Sequence, residues 1–324
     1  MKRRQFCQAL AGTSLWPFAV HAQSPRDTVK VGFVYPGINQ LVASRIDAIS
    51  TGIRASSYPL AQIEMVVRVT DGDPARVTPL VAEVLATKVS VFVSTGPSVL
   101  RAALAVTRTL PIVATNFEED PEASGYAQSI AHPGRNITGV FLDFPNFAGK
   151  WIELLRECLP KLSRIALMWD PTTGRIQIDA LTKATAGLNI QTDLLEVRAR
   201  GDYAGAFAVA KDRGADAAIM LSSPLVPASA KELAELSLHF KLPAITMFAE
   251  FPRTGGLFSY GPNLQAGNRQ VGMFVGKILA GSAPGNLPIE RPDKFELIIN
   301  ARTAEALGIA IPAVVQARAD EVID

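Results

Sequence analysis

Short polar residues follow several apolar runs of this 324-residue sequence, and chemistry would concentrate there. The segment Ser94-Thr95-Gly96-Pro97-Ser98 leads from an apolar run straight into helical spacing. Hydroxyls and backbone N–H groups would converge at such a turn with no bulky side chain between them, which suits capture of a carboxylate or phosphate. Taken alone, the same residues also make a plain helix cap. Acidic residues stand at other run ends: Glu118, Asp120, Asp143, Asp170 and Glu250. Each could receive an amine, and each could equally be a solvated loop residue. Tyr35, Pro36 and Gly37, Asn116, Ser222 and Ser223, Phe248 and Tyr260 complete the set of run-end candidates.

Reactive chemistry finds little support. The sequence has no G-x-S-x-G elbow, P-loop, G-x-G-x-x-G or H-E-x-x-H motif. His132 lies in the turn AHPGRN and His239 near a helix end in LSLHFKLP, far apart and structural in character. Cys158 shares helical spacing with Phe147, Trp151, Leu154 and Leu155, so it reads as a small buried hydrophobe. No cysteine-based metal site is expected, no metal or other cofactor, and no catalytic residue. A hydrolase built on a pair of cleft acids stays open as a rival on sequence alone. The sequon Asn136-Ile137-Thr138 enters a strand, and Arg318, Asp320 and Glu321 read as a solvated helix face.

The elements that must position these residues alternate regularly. Strands are expected at 29–35, 63–70, 90–95, 111–115, 137–142, 164–169, 190–197, 217–222, 243–248, 256–260 and 295–300. Helices are expected at 39–55, 74–87, 98–108, 146–159, 174–188, 202–213, 228–240 and 264–280. Continuous apolar strands joined by helices predict parallel sheets covered on both faces, an α/β chain with about five strands per half. The halves echo one another. Residues 90–119 and 217–250 both run strand, small polar residues, proline, helix, Leu-Pro, strand, and then an acid (Glu118 or Glu250) at the same distance. VKVGFVYPG and RIALMWDPTTG form a second echo. Two similar open domains follow, the first ending near Phe141. The last third must then return to lobes already built, which makes a hinge of several strands around a cleft. We assign 29–142 plus about 257–290 to one lobe, and 143–256 plus about 291–324 to the other. Ligands of open parallel sheets bind beyond the strands' carboxyl ends, which is where the candidates above lie.

The N-terminus has the plan of an export signal. Lys2, Arg3 and Arg4 precede the apolar stretch 6–20, and Val20-His21-Ala22 offers small-residue cleavage spacing. A signal peptide over 1–22 is expected, by the general or the twin-arginine route, with export to the periplasm. The stretch is too short and too interrupted by Pro17 for stable membrane insertion. Removing Lys2, Arg3 and Arg4 from the 32 basic residues leaves 29 against 30 acidic, so no basic surface points to nucleic acid.

Three segments carry a family resemblance: TGVFLDFPNFAGKWIELLRECLPKLSRIALMWDPTT, GGLFSYGPNL and KFELIINARTAEALGIAIPAVVQARADEVI. With the opening MKRRQFCQALAGTSLWPFAVHAQ, they are similar to the ABC-transporter substrate-binding family related to tryptophan- and tyrosine-uptake binding proteins. The resemblance implies a type I periplasmic binding protein fold: two Rossmann-like, doubly wound parallel-sheet lobes with three crossings, closing on a small-molecule ligand. It also implies, as partners, an ABC permease with its cytoplasmic ATPase, a monomeric state, and an amino-acid-like ligand, aromatic among the options; a periplasmic ligand-sensing protein would have the same fold and stays open beside transport. The family's small-residue turn after the third strand matches Thr95-Gly96-Pro97-Ser98. Its VGDPV after the fourth is matched only at Asp120 and Pro121.

Overall fold

The computed structural model describes residues 28–324, so the signal expected at 1–22 lies outside the described residues. The first sheet is wholly parallel. It is built from β1 (Val29–Tyr35), β2 (Ile63–Val69), β3 (Val91–Ser94), β4 (Ile112–Phe117) and β5 (Ile137–Phe141), in the order β2-β1-β3-β4-β5. Its connecting helices are α1 (Asn39–Ala55), α2 (Val77–Ala86) and α3 (Gly96–Val106). Burial on both faces accounts for the apolar strand sequences: Val31, Phe33 and Val34 in β1 and Val91, Phe92 and Val93 in β3 are fully buried.

The second half contains α4 (Phe144–Cys158), β6 (Arg164–Trp169), α5 (Ile176–Thr185), β7 (Gln191–Glu196), α6 (Asp202–Asp212) and β8 (Ala217–Met220). The chain continues through α7 (Leu225–Ala228), α8 (Ala230–His239), β9 (Ala244–Thr246), α9 (Glu250–Arg253) and β10 (Phe258–Pro262). Next comes α10 (Leu264–Leu279), followed by β11 (Phe295–Asn300), α11 (Ala301–Leu307), α12 (Ala313–Gln316) and β12 (Glu321–Ile323). The second sheet runs β12-β11-β10-β9-β8-β6-β7, with only β10 and β11 antiparallel.

Two boundaries differ from the sequence reading. Residues 257–262 do not join the first lobe: β10 lies between β9 and β11, so the second crossing falls at Asn263, whose side chain caps α10. Arg318, Asp320 and Glu321 are not a helix face. Glu321 opens the edge strand β12 and pairs with Arg253 at 2.7 Å, Asp320 accepts the Leu297 N–H, and Arg318 pairs with Glu153 and Glu157. A three-residue strand leaves too short a pattern for alternation to show.

Helix α10 returns to the first lobe, where it packs on α1. The two backbones come close because both lack side chains at the crossing. A Cβ on Gly52 would sit 1.9 Å from the Arg269 carbonyl oxygen, and one on Gly272 would sit 2.0 Å from that of Ile49. The lobes have separate cores. That of the second lobe includes Trp151, Phe144 and Phe207, whereas the first lobe buries one cluster on each face of its sheet. The connections at Leu142-Asp143, at Asn263 and across 291–294 pass between them. The first and third are joined by the Arg291–Asp143 ion pair at 2.7 Å. Among the described residues no helix is long and apolar enough to cross a membrane.

Candidate functional site

The carboxyl ends of both sheets face a shared cleft. It holds about 940 Å3 of space outside all atoms, its open mouth included. The first-lobe wall comprises Tyr35 and Pro36 after β1, Thr95 to Ser98 after β3, and Asn116 and Glu118 at the end of β4. From the second lobe come Thr172 and Thr173, Ser222 and Ser223, and Met247 and Phe248. Leu142, Asn263 and Asn268 line the hinge side. Eleven sequence candidates therefore meet in one cavity: Tyr35, Pro36, Thr95, Gly96, Pro97, Ser98, Asn116, Glu118, Ser222, Ser223 and Phe248.

A tight turn leads into α3. Gly96 takes a positive φ of 77°, which swings the chain from β3 into the helix. Its N–H donates to Asn116 Oδ1 at 2.8 Å, fixing the turn against the neighbouring strand. Pro97 has no N–H to offer. Thr95 makes no side-chain cap, and its Oγ1 is buried without a hydrogen-bond partner among the described residues. A buried hydroxyl left so carries a free-energy penalty that a bound acceptor would remove.

Charged contacts cross the cleft in both directions. Arg45, on α1 and 8% exposed, donates from Nη2 to Glu250 Oε1 at the start of α9, 2.8 Å away. Burial pushes the Tyr35 phenol above its ordinary value, opposed by the adjoining Arg45 guanidinium. Glu118 reaches the other way. Its Oε1 accepts from Ser222 Oγ at 3.0 Å and its Oε2 from Gln177 Nε2 at 3.1 Å, both on the second lobe. Gln177 is itself held by the Ser222 backbone, whose N–H donates to its Oε1 and whose carbonyl accepts from its Nε2. Complete burial drives the Glu118 carboxyl up to about 8; the Ser222 and Gln177 hydrogen bonds moderate that rise. Arg101 on α3 donates to the Thr172 carbonyl at 2.7 Å and adds a third cross-lobe tie.

Asp120, Asp143, Asp170 and Tyr260 do not line this cavity, and neither do Gly37, Ser94 and Glu250. Asp120 lies in an exposed turn, where it accepts the N–H groups of Glu122 and Ala123. Asp143, in left-handed backbone at φ 49°, pairs with Arg291 at the hinge. Asp170 is buried, but its carboxylate accepts from Ser223 Oγ at 2.7 Å and from the N–H and hydroxyl of Thr172, which shapes the second-lobe wall from behind. Tyr260 stacks on Phe295 at 5.9 Å, and its backbone carbonyl accepts the Trp151 indole N–H. The side chains of Asp120, Asp143, Asp170 and Tyr260 already serve the scaffold.

Sequence reasoning passed over Arg45, which carried a legible signal. It falls on the stripe Val42, Arg45, Ile49, Ile53, where helical spacing otherwise places apolar residues facing the core. A cation on such a stripe must find a partner. Thr115 and Asn268 gave no comparable signal.

Two facing α/β lobes, crossed by the chain at the hinge and lined at the shared cleft by strand ends, define the type I periplasmic binding protein fold. Residues 39–323 match the family described as ABC transporter substrate binding protein, and the chain belongs to that family. Its proteins act in the periplasm or extracellular space and present a bound ligand to an ABC transporter. A tyrosine-binding protein of Clostridioides difficile is 23% identical over 209 residues, 64% of this chain and 59% of the relative's own length. Among solved structures, a conserved domain protein from Vibrio cholerae superposes with a TM-score of 0.83 at 22% identity, covering 91% of this chain and all of its own. An ABC domain from Streptococcus pneumonia in complex with L-Trp also gives 0.83, at 19% identity over 92% of this chain and all of its own. The ligand-free, open structure of a substrate-binding protein with adhesive properties from Clostridium difficile gives 0.63 at 18% identity, covering 91% and 99%.

Proposed function

We propose that this chain binds a small carboxylate of amino-acid type, with an apolar or aromatic body, and hands it to an ABC permease driven by a cytoplasmic ATPase. The observation that carries the reading is the first turn of α3, where Thr95 and Ser98 line a largely apolar cleft and the Thr95 hydroxyl is buried without a hydrogen-bond partner among the described residues. A carboxylate placed there gains charge-assisted hydrogen bonds and the positive end of the helix. Tyr35 and Phe248 flank the remaining space and supply area for an apolar body. The ligand classes named for the tyrosine-binding relative and the L-Trp complex agree with this choice. The protein binds without turnover: of its two cross-lobe carboxylates, one is paired to Arg45 and the other is held by neutral donors. On this reading it is exported to the periplasm after cleavage behind Ala22, and a mature N-terminus at Gln23 is the direct check.

A thermal-shift screen of refolded, ligand-stripped protein tests the ligand class. A ligand specific for the folded state raises Tm with its occupancy, by RT ln(1 + [L]/Kd). Amino acids or aromatic acids should stabilise; stabilisation by sugars or polyamines alone would refute the carboxylate reading. Replacing both Thr95 and Ser98 by Ala should weaken a carboxylate ligand by about tenfold or more.

A further inference from the structure

We propose that Glu118 receives the ammonium group of the ligand and makes the cleft select amine-bearing zwitterions over acids that lack the amine. The inference rests on the carboxylate-binding reading above and adds the second charge of the ligand.

Three observations support it. Glu118 is the one acidic residue among the described cavity lining, with a residue exposure of 3%. The other cleft carboxylate, Glu250, already has its cation in Arg45, whereas among the described residues no Lys, Arg or His nitrogen stands within ion-pair distance of Glu118. Finally, among the described residues Glu118 accepts two neutral hydrogen bonds, one on each oxygen, while a carboxylate has about four acceptor positions. Acceptor capacity therefore remains on a buried carboxyl that has no charged partner among the described residues.

The charged surroundings agree. Arg101 and Glu119, from α3 and the loop after β4, pair with one another at 3.3 Å and act on Glu118 weakly and in opposite senses. Arg45 on α1 lines the same cavity but is bound to Glu250. Ser222 and Gln177, from the second lobe, are neutral. A ligand ammonium would supply the missing positive charge. Position suits an α-amino acid, because β3 and β4 are adjacent strands and Asn116 already bridges their ends by accepting the Gly96 N–H. The carboxylate subsite and Glu118 are thus neighbours.

Proton linkage follows. With no cation beside it, burial raises the Glu118 carboxyl to about 8, and an amine-free acid brings none. Around an ammonium it is ionised. The two complexes therefore differ by about one bound proton at pH 7, whatever the state of the empty protein. The preference for the amine-bearing ligand should therefore rise with pH up to about 8 and then level off.

The test is calorimetric titration with the tightest binder of an amino-acid panel led by L-tyrosine and L-tryptophan, alongside its amine-free 3-substituted propionic acid, in buffers of different ionisation enthalpy. The expected result is a preference of about 10- to 100-fold for the amino acid at pH 8, a difference of about one proton at pH 7, and loss of both in Glu118→Gln. Equal affinity and equal proton counts for the two ligands in the wild-type protein would overturn the assignment of Glu118 while leaving carboxylate binding intact. Binding of the amine-free acids alone would also overturn the assignment of Glu118, and binding of neither amino acids nor amine-free acids would overturn the carboxylate reading and this inference together. The wild-type proton count needs no variant to fold.

Discussion

Glu118 and Glu250 occupy matching places in the two halves, each following a strand–helix–Leu-Pro–strand unit. Both point across the cleft at the opposite lobe, and there the likeness ends. Glu250 meets a guanidinium at 2.8 Å and keeps 26% of its side chain exposed. Glu118 meets a hydroxyl and an amide, and is buried throughout. The same position in the repeat is a completed ion pair on one side and a carboxylate still lacking a cation on the other. A completed pair can lock two lobes together; an incomplete one can recognise what lies between them.

A lesion far from both acids sets the scale. Trp151→Ala in the second-lobe core should lower unfolding stability by about 3–5 kcal/mol in urea melts, yet leave the ratio of amine-bearing to amine-free ligand affinity unchanged. A changed ratio would mean that recognition is not confined to the cleft. Next in size is Glu250→Gln, which strands the 8%-exposed Arg45 without its counter-ion. It should cost the closed form about 2 kcal/mol, whereas Arg45→Met, which leaves the more exposed partner behind, should cost about 1 kcal/mol. Ligand affinities of the two variants measure this, and the reverse order would contradict the burial argument. Ser222→Ala removes one of the two donors on Glu118 and should weaken lobe closure by about 1 kcal/mol. The same change should push the Glu118 carboxyl higher still, since that hydrogen bond favours the ionised form.

A further effect belongs to the ligand-free protein. Burial raises the Glu118 carboxyl from 4.5 to about 8, so between these values the unfolded chain gives up its proton while the closed form retains it. The closed form therefore loses stability as pH climbs from about 4.5 to about 8, and no further above that. Glu118→Gln should flatten this part of the pH–stability curve, as read by Tm across the range.

Much of the fold was legible because each strand is a short apolar run bounded by turn residues and each long helix has clean spacing. Helix α1 is found at the expected 39–55, and strands 29–35 and 164–169 match β1 and β6. The short elements α7, α11, α12 and β12 gave no pattern, being too brief for periodicity to stand out. The site was legible where backbone position decides it, as at Thr95 to Ser98 and Ser222-Ser223, because strand ends of a parallel sheet must face the cleft. It was not legible where competing partners decide it. Asp143 was lost to Arg291 and Asp170 to Ser223 and Thr172, partners that only the folded chain brings near. The repeat pointed to Glu118 and Glu250 as equivalents; it could not say which of them would find an arginine.

The central claim is that the cleft takes a carboxylate at the start of α3. Calorimetric titration of ligand-stripped protein with the amino-acid panel tests it most directly, repeated on the Thr95→Ala, Ser98→Ala double variant. The account predicts one site per chain for at least one amino acid and an affinity loss of about tenfold or more in the variant. Binding of sugars or polyamines with no response to any amino acid or aromatic acid would contradict it.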